Sequence, residues 1–262
     1  MTRAFLTAAL LLLVLGGYAD AADKLHVGLR DVIDTVEQSY RQLDNVTADF
    51  FQRSTMSGNQ RELRAEGEMI VKPPSGNDPL MFRFDYFRPT KQEIVSDGRT
   101  LWFYMPESRQ VIRSDVRELF GTMRFDPEHP DHRRPVNFLQ GLGRISRDFT
   151  ITFSEQQQDA AGNYVLVLEP LRPTAFITKM FMVVRQEAVL NRKDPQFFKA
   201  RGEEFRRNLL FPILSTTVVD HQGNTTIMEF TNIRANSFVS PSMFDFVVPA
   251  NVQIVRPPTG TP

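Results

Sequence analysis

The stretch from Met81 to Arg113, MFRFDYFRPTKQEIVSDGRTLWFYMPESRQVIR, leaves little freedom in what this chain can fold into. Phe82, Phe84 and Tyr86 alternate with Arg83 and Asp85, the two-residue period of a half-buried strand. Arg88-Pro89 ends that strand, because proline has no N–H to give a ladder. Ile94-Val95-Ser96 runs into Asp97-Gly98, a dipeptide that accepts the positive φ of a tight hairpin turn. Leu101 to Tyr104 carries the chain back, with Leu101 and Phe103 on one face and Trp102 and Tyr104 on the other. Pro106-Glu107-Ser108 then turns it into Gln110-Val111-Ile112. Both faces of this meander are apolar. One can cover a core; the other demands a second layer, a partner or a ligand.

The rest of the chain supplies more strands and a few helices. Between Lys24 and Leu43, the residues Leu29, Val32, Ile33, Val36, Tyr40 and Leu43 recur at three- and four-residue steps and predict an amphipathic helix laid on a sheet. Its other face carries Arg30, Asp34, Glu37 and Arg41. Strands are predicted over Val46 to Arg53 and Arg61 to Lys72, followed by a proline-rich loop from Pro73 to Pro79. Further strands are predicted at Phe149 to Ser154, Tyr164 to Leu168, Thr178 to Gln186, Leu214 to Val219 and Thr225 to Ile233. In Thr178 to Gln186, Met180, Met182 and Val184 alternate against Phe181 and Val183, so this strand too is apolar on both faces.

Two stretches break the strand pattern. From Asp115 to Phe149, Val116, Leu119, Phe120 and Met123 fit one short helix, and Val136 to Leu142 fits a second, closed by Gly143. Between them lies the polar DPEHPDHRRP. Helices with apolar stripes on such a loop suit either a lid over an open sheet or an ordinary packed crossover. From Glu187 to Pro212 the chain is basic and aromatic. Phe197, Phe198, Phe205, Leu209 and Leu210 are expected on one side, with Arg201, Arg206 and Arg207 on the other. That pattern fits a solvated surface helix, or a docking element for a membrane or a partner.

Composition narrows the function. Lys+Arg 31 balances Asp+Glu 31, so no global basic field points to nucleic acid. Phenylalanine stands out at 22 residues against 5 Tyr and 1 Trp, and its ring has no polar handle, so it belongs in a core or against something greasy. The N-terminus reads as a secretory signal peptide: Arg3, an apolar run from Ala4 to Leu15, and Ala19-Asp20-Ala21 as a small-x-small cleavage site after Ala21. With no cysteine, the chain has no disulfide, no thiolate metal site and no acylation site for a lipid anchor of its own. His129 and His132 share a loop with Asp126, Glu128 and Asp131, but no helix fixes their geometry as zinc ligands. No nucleophile elbow, Walker loop or Rossmann fingerprint is present. The residues thus read as a secreted, disulfide-free, mostly antiparallel β protein without catalytic machinery or cofactor. It either buries helices on one face or holds an apolar ligand in a concave sheet.

Phe-x-Phe-x-Tyr, the run Val95 to Pro106 (VSDGRTLWFYMP), the following Gln110-Val111 and the closing Phe244-Asp-Phe246-Val-Val-Pro249 resemble the periplasmic outer-membrane lipoprotein carriers, the LolA family. Two departures are visible. Asn251 stands where the family usually has Gly, and Lys72-Pro73-Pro74 lacks the arginine of the family's Lys-Arg-Pro, held there to tie a lid to the barrel wall. The resemblance implies a single domain over 22–262, mainly β with helices: an unclosed antiparallel β-barrel covered by the N-terminal helix and short lid helices, with the lid at about 115–149 and an insertion at about 187–212. It implies a monomeric periplasmic carrier that takes acylated lipoproteins from an inner-membrane ABC transporter to an outer-membrane receptor lipoprotein. On that reading Phe82, Phe84, Leu101, Phe103, Phe181 and Val183 are the lipid-binding wall. Met123, Phe138, Leu139 and Leu142 are lid residues, and Lys72 or Arg83 stands in for the gating arginine. A different lipid or glycolipid as cargo, or a lipoprotein-binding envelope sensor, remains compatible with the same residues.

Overall fold

The structure, a computed structural model, describes residues 26–58, 61–116, 141–172 and 177–255. The expected signal peptide, the two histidines of the acidic loop and the lid residues Met123, Phe138 and Leu139 lie outside these residues.

Among the described residues the strands are β1 (Val46–Thr55), β2 (Glu62–Lys72), β3 (Met81–Arg88), β4 (Gln92–Ser96), β5 (Thr100–Met105), β6 (Gln110–Asp115), β7 (Phe149–Gln158), β8 (Tyr164–Pro170), β9 (Lys179–Val184), β10 (Ile213–Val219), β11 (Thr225–Ala235) and β12 (Gln253–Val255). They form one sheet in the order β12-β6-β5-β4-β3-β2-β1-β11-β10-β9-β8-β7. Every pairing is antiparallel except β12 with β6. The ends, β12 and β7, do not pair, so the barrel is unclosed, as the resemblance implied.

Turn chemistry fixes the register. Gly98 takes φ +84° while Asp97 Oδ1 accepts the Arg99 and Thr100 N–H groups at 2.8 and 2.7 Å. The β7–β8 and β10–β11 hairpins reuse one device, Asp-x-x-Gly-Asn. In each, the aspartate (Asp159, Asp220) accepts from the backbone and side chain of the asparagine four residues on (Asn163, Asn224), with Gly162 and Gly223 at positive φ. At Gly67, where β2 shifts register against β3, a Cβ would fall 2.0 Å from the Asp85 carbonyl oxygen, so only glycine fits.

The helix α1 (Leu29–Arg41) is shorter than the predicted Lys24–Leu43 but buries the predicted stripe: Val32, Ile33, Val36 and Tyr40 join Val46, Phe50, Met69, Phe82, Leu166, Met180 and Met182 in one core. The sheet face under α1 is called inner below. The outer face is covered at one end by the C-terminal segment. Phe246 lies 6.1 Å from Trp102 and 5.7 Å from Tyr104, ring centre to ring centre, and β12 extends the sheet beside β6. Val95 and Val111, which share the outer face with these rings, are fully buried. That is the second layer the meander demanded.

The expected Val136–Leu142 helix lies outside the described residues except at its end, where Gly143 sits within a 3-10 turn, Leu142–Arg144, that runs into α2 (Ile145–Asp148). The Glu37 carboxylate on α1 accepts from the Ser146 N–H and hydroxyl there, at 2.9 and 2.7 Å. The 187–212 stretch is not one surface helix. It forms α3 (Gln186–Lys193), a 3-10 turn at Lys199–Arg201 and α4 (Gly202–Asn208). Pro195 disfavours helical backbone at Asp194, and Gly202 takes φ +86°. Val189, Leu209 and Phe211 from this stretch are buried rather than solvated.

Candidate lipid-binding face

Direct cross-strand partners in an antiparallel sheet share a face, so the pairing decides which side chains meet. One inner row runs Ala48, Met69, Phe84, Ile94, Phe103, Ile112 from β1 to β6. The next runs Val46, Val71, Phe82, Ser96, Leu101, Ser114. Burial of the large apolar side chains falls along both rows, while the small Ser96 and Ser114 stay covered. On β1 to β3, under α1, the side chains are closed off: Phe82 is 0 % exposed and Phe84 8 %. On β4 to β6, Ile94, Leu101, Phe103 and Ile112 are only half-buried. Ile94 and Leu101 touch the edge of the core; Phe103 and Ile112 extend the apolar surface beyond it. This shelf lies on the strands that lead out of β6 into the expected lid.

Aromatic rings tie the shelf to the core. Phe84 meets Phe50 and Phe82 edge-to-face, at 5.8 and 6.0 Å, a geometry that ring quadrupoles favour. The far end of the inner face is polar. The Tyr86 hydroxyl donates to Gln52 Oε1 at 2.9 Å, and Gln52 Nε2 donates to Ser54 Oγ at 3.3 Å. Burial pushes the Tyr86 hydroxyl up to about 12, so it stays a neutral donor across the physiological range. The greasy surface therefore has a wet boundary on one side.

The structure brings together four of the six expected wall residues, Phe82, Phe84, Leu101 and Phe103. Phe181 and Val183 fall on the outer face, because Met182 is the direct partner of Leu166 and Thr216 while Phe181 pairs with Val167 and Thr217. The inner residues of β9 are Met180, Met182 and Val184, all fully buried. Among lid candidates, Leu142 is described and fully buried, packed where its turn meets α1. Of the gating candidates, Lys72 Nζ reaches Asp78 Oδ2 at 3.2 Å in its own loop. Arg83 bridges Asp85 at 2.7 Å and Glu93 at 2.6 Å on the outer face. Both cations are thus engaged with neighbouring carboxylates on or beside the wall. The groups that fasten residues 142–148 are instead on α1: Glu37 holds Ser146, and Arg41 donates to the Gly143 carbonyl oxygen. Helical geometry carried a signal for this, since Glu37 lies one turn from Ile33 and beside Tyr40, at the margin of the apolar stripe rather than opposite it.

A family model, "Outer membrane lipoprotein carrier protein LolA", matches residues 41–194, more than half of the chain. The chain belongs to the LolA family. Curated relatives agree along nearly the whole length. It is 32 % identical over 229 residues to the outer-membrane lipoprotein carrier protein of Haemophilus influenzae, covering 87 % of this chain and 89 % of that one. It is 28 % identical to the protein of the same name from Chromobacterium violaceum, covering 80 % of each.

Proposed function

We propose that this protein binds the acyl chains of lipoproteins on the inner face of its sheet and carries them across the periplasm, from an inner-membrane ABC transporter to an outer-membrane receptor. The supporting observation is the apolar row Phe84–Ile94–Phe103–Ile112, which α1 covers at one end and leaves half-open at the other. Each methylene withdrawn from water is worth about 0.8 kcal/mol, so a multiply acylated protein cannot cross an aqueous compartment without a matching apolar surface. Phenylalanine and methionine suit the task, since they offer area without strong directional bonds and so allow release. No enzymatic step is required: binding and letting go are the whole reaction, and extraction is driven by a partner. The 117–140 segment, with Met123, Phe138 and Leu139, is the cover over the shelf in this reading, and Leu142 is its buried root.

Protein purified from periplasm without detergent, extracted with organic solvent and analysed by mass spectrometry, tests the proposal. Acyl-bearing lipoprotein species are expected in the extract. Extracts free of any acylated species, together with failure of the delipidated protein to accept a diacylated lipoprotein, would overturn it.

A further inference from the structure

The 195–207 excursion exposes a cluster that neither the core nor the shelf uses. Phe197 and Phe198 stand 5.1 Å apart and Phe198 and Phe205 5.7 Å, and Phe197 is 55 % exposed. Phe198 and Phe205 are half-buried beneath it, so one exposed ring backed by two more makes an apolar patch suited to meet something apolar. Cations surround them: Arg201 stacks its guanidinium 4.3 Å over the Phe205 ring, and Lys199 and Arg207 are exposed close by. Among the described residues no carboxylate pairs with Lys199, Arg201 or Arg207, whereas other cations of the fold, such as Lys193 and Arg83, are paired.

The cluster is held out stiffly. On one side Lys193, at the end of α3, donates to Asp31 at 2.8 Å and to the His26 carbonyl oxygen at 2.6 Å. On the other, Asn208 Oδ1 accepts from the Ala235 N–H at 3.0 Å, and Leu209 and Phe211 are sunk in the protein. The excursion leaves the sheet at the end where β9 stops and β10 starts. By the antiparallel order, this is also the end where β6 stops and leads into the expected cover.

We propose that Phe197, Phe198 and Phe205, with Lys199, Arg201 and Arg207, form a docking element that seats this end of the carrier on an anionic lipid bilayer. Rings without polar handles, beside Lys199, Arg201, Arg206 and Arg207, which outnumber the exposed Glu203 and Glu204 of the same stretch, match the apolar boundary and negative surface of a membrane leaflet. A protein partner would require a matching set of pockets and carboxylates, whereas a leaflet supplies both needs along its whole surface. Seated this way, the end of the sheet where β6 stops and where β9 gives way to β10 faces the membrane.

Flotation of the processed, full-length protein with vesicles of phosphatidylethanolamine and phosphatidylglycerol, against phosphatidylcholine alone, tests this. Co-flotation with the anionic vesicles only, weakening as salt rises, is expected. The triple variant Lys199→Glu/Arg201→Glu/Arg207→Glu should partition on the order of a hundredfold less, from about 1 kcal/mol per basic group at a leaflet surface. Phe197→Ser, at an exposed site that leaves folding untouched, should lower partitioning at every salt concentration. Both variants should still load a fluorescent acyl probe as the parent protein does, which separates this surface from the shelf. No flotation with either vesicle, equal flotation with phosphatidylcholine, or unchanged flotation of both variants would overturn the proposal.

Discussion

Replacing Phe103 by glutamate separates cargo binding from folding. Phe103 is half-buried, sits between Ile94 and Ile112 in the inner row, and lies outside the packed core, so a polar side chain there can reach solvent and the fold should survive. Neighbouring strands are about 4.8 Å apart, so the row from Phe84 to Ile112 spans roughly 14 Å of apolar surface. An acyl chain laid along it touches the Phe103 ring midway. Burying a phenyl ring is worth about 1.5–3 kcal/mol, and half of that contact is lost on substitution. The larger loss is desolvation of the new carboxylate, which costs several kcal/mol or is relieved by taking up a proton. A net loss of about 3 kcal/mol, or on the order of a hundredfold in affinity, is expected. Displacement of a fluorescent acyl probe from delipidated protein measures it, with Tm recorded beside it. Phe181→Glu is the matched control: the same change at another half-buried phenylalanine, on the outer face, where loading should not move. Equal loading by Phe103→Glu, or equal loss in both variants, would refute the assignment of the inner face. Phe82 is a poor site for this experiment despite its place in the pattern. It is 0 % exposed, and Phe82→Glu would bury a carboxylate in the core and unfold the protein.

Glu37→Ala should free the 142–148 segment. Ser146 loses two hydrogen bonds to a carboxylate, each worth about 1.5–3 kcal/mol, and amide exchange over 142–148 should quicken much more than over β1; unchanged protection would contradict the latch. The two Asp-x-x-Gly-Asn turns should add an acid-labile component to stability. Burial works to raise the carboxyls of Asp159 and Asp220, but hydrogen bonds from Asn163 and Asn224 and from the turn amides outweigh it and hold both below the ordinary range. Depressed folded values mean the stabilisation is present above the unfolded value of about 3.9 and disappears as pH falls through the folded ones. Thermal melts below about pH 4 should therefore fall less steeply for Asp159→Asn/Asp220→Asn than for the parent, and parallel slopes would exclude these turns as the cause.

The fold was legible wherever one local rule acted alone. Alternation gave the strands of the meander, Asp97-Gly98 gave a turn, and the α1 stripe gave the helix that closes the core. What alternation could not decide was sidedness. In β9 the two faces read Met-Met-Val and Phe-Val, equally greasy, and the choice between them is made by strands distant in sequence, β8 and β10, through register. The same ambiguity concealed the role of Trp102 and Tyr104, whose cover, Phe246, lies more than a hundred residues away. Polar residues were misread for a related reason. Glu37 and Arg41 looked like solvent-facing charges until the returning chain at 143–146 gave them backbone partners.

That relocation bears on how residues 142–148 are held in a chain that has Lys72-Pro73-Pro74 where an arginine was expected. A side chain on the wall is one solution. Here the fastening lies on α1, the element that also plugs the closed half of the inner face with Val32, Val36 and Tyr40. Because Glu37 and Arg41 sit on the same helix as Val32, Val36 and Tyr40, a displacement of α1 from the sheet is expected to strain their bonds to residues 143–146 as well. Phe84, 8 % exposed and stacked edge-to-face on Phe50, marks the margin between the part of the sheet that α1 buries and the half-buried shelf.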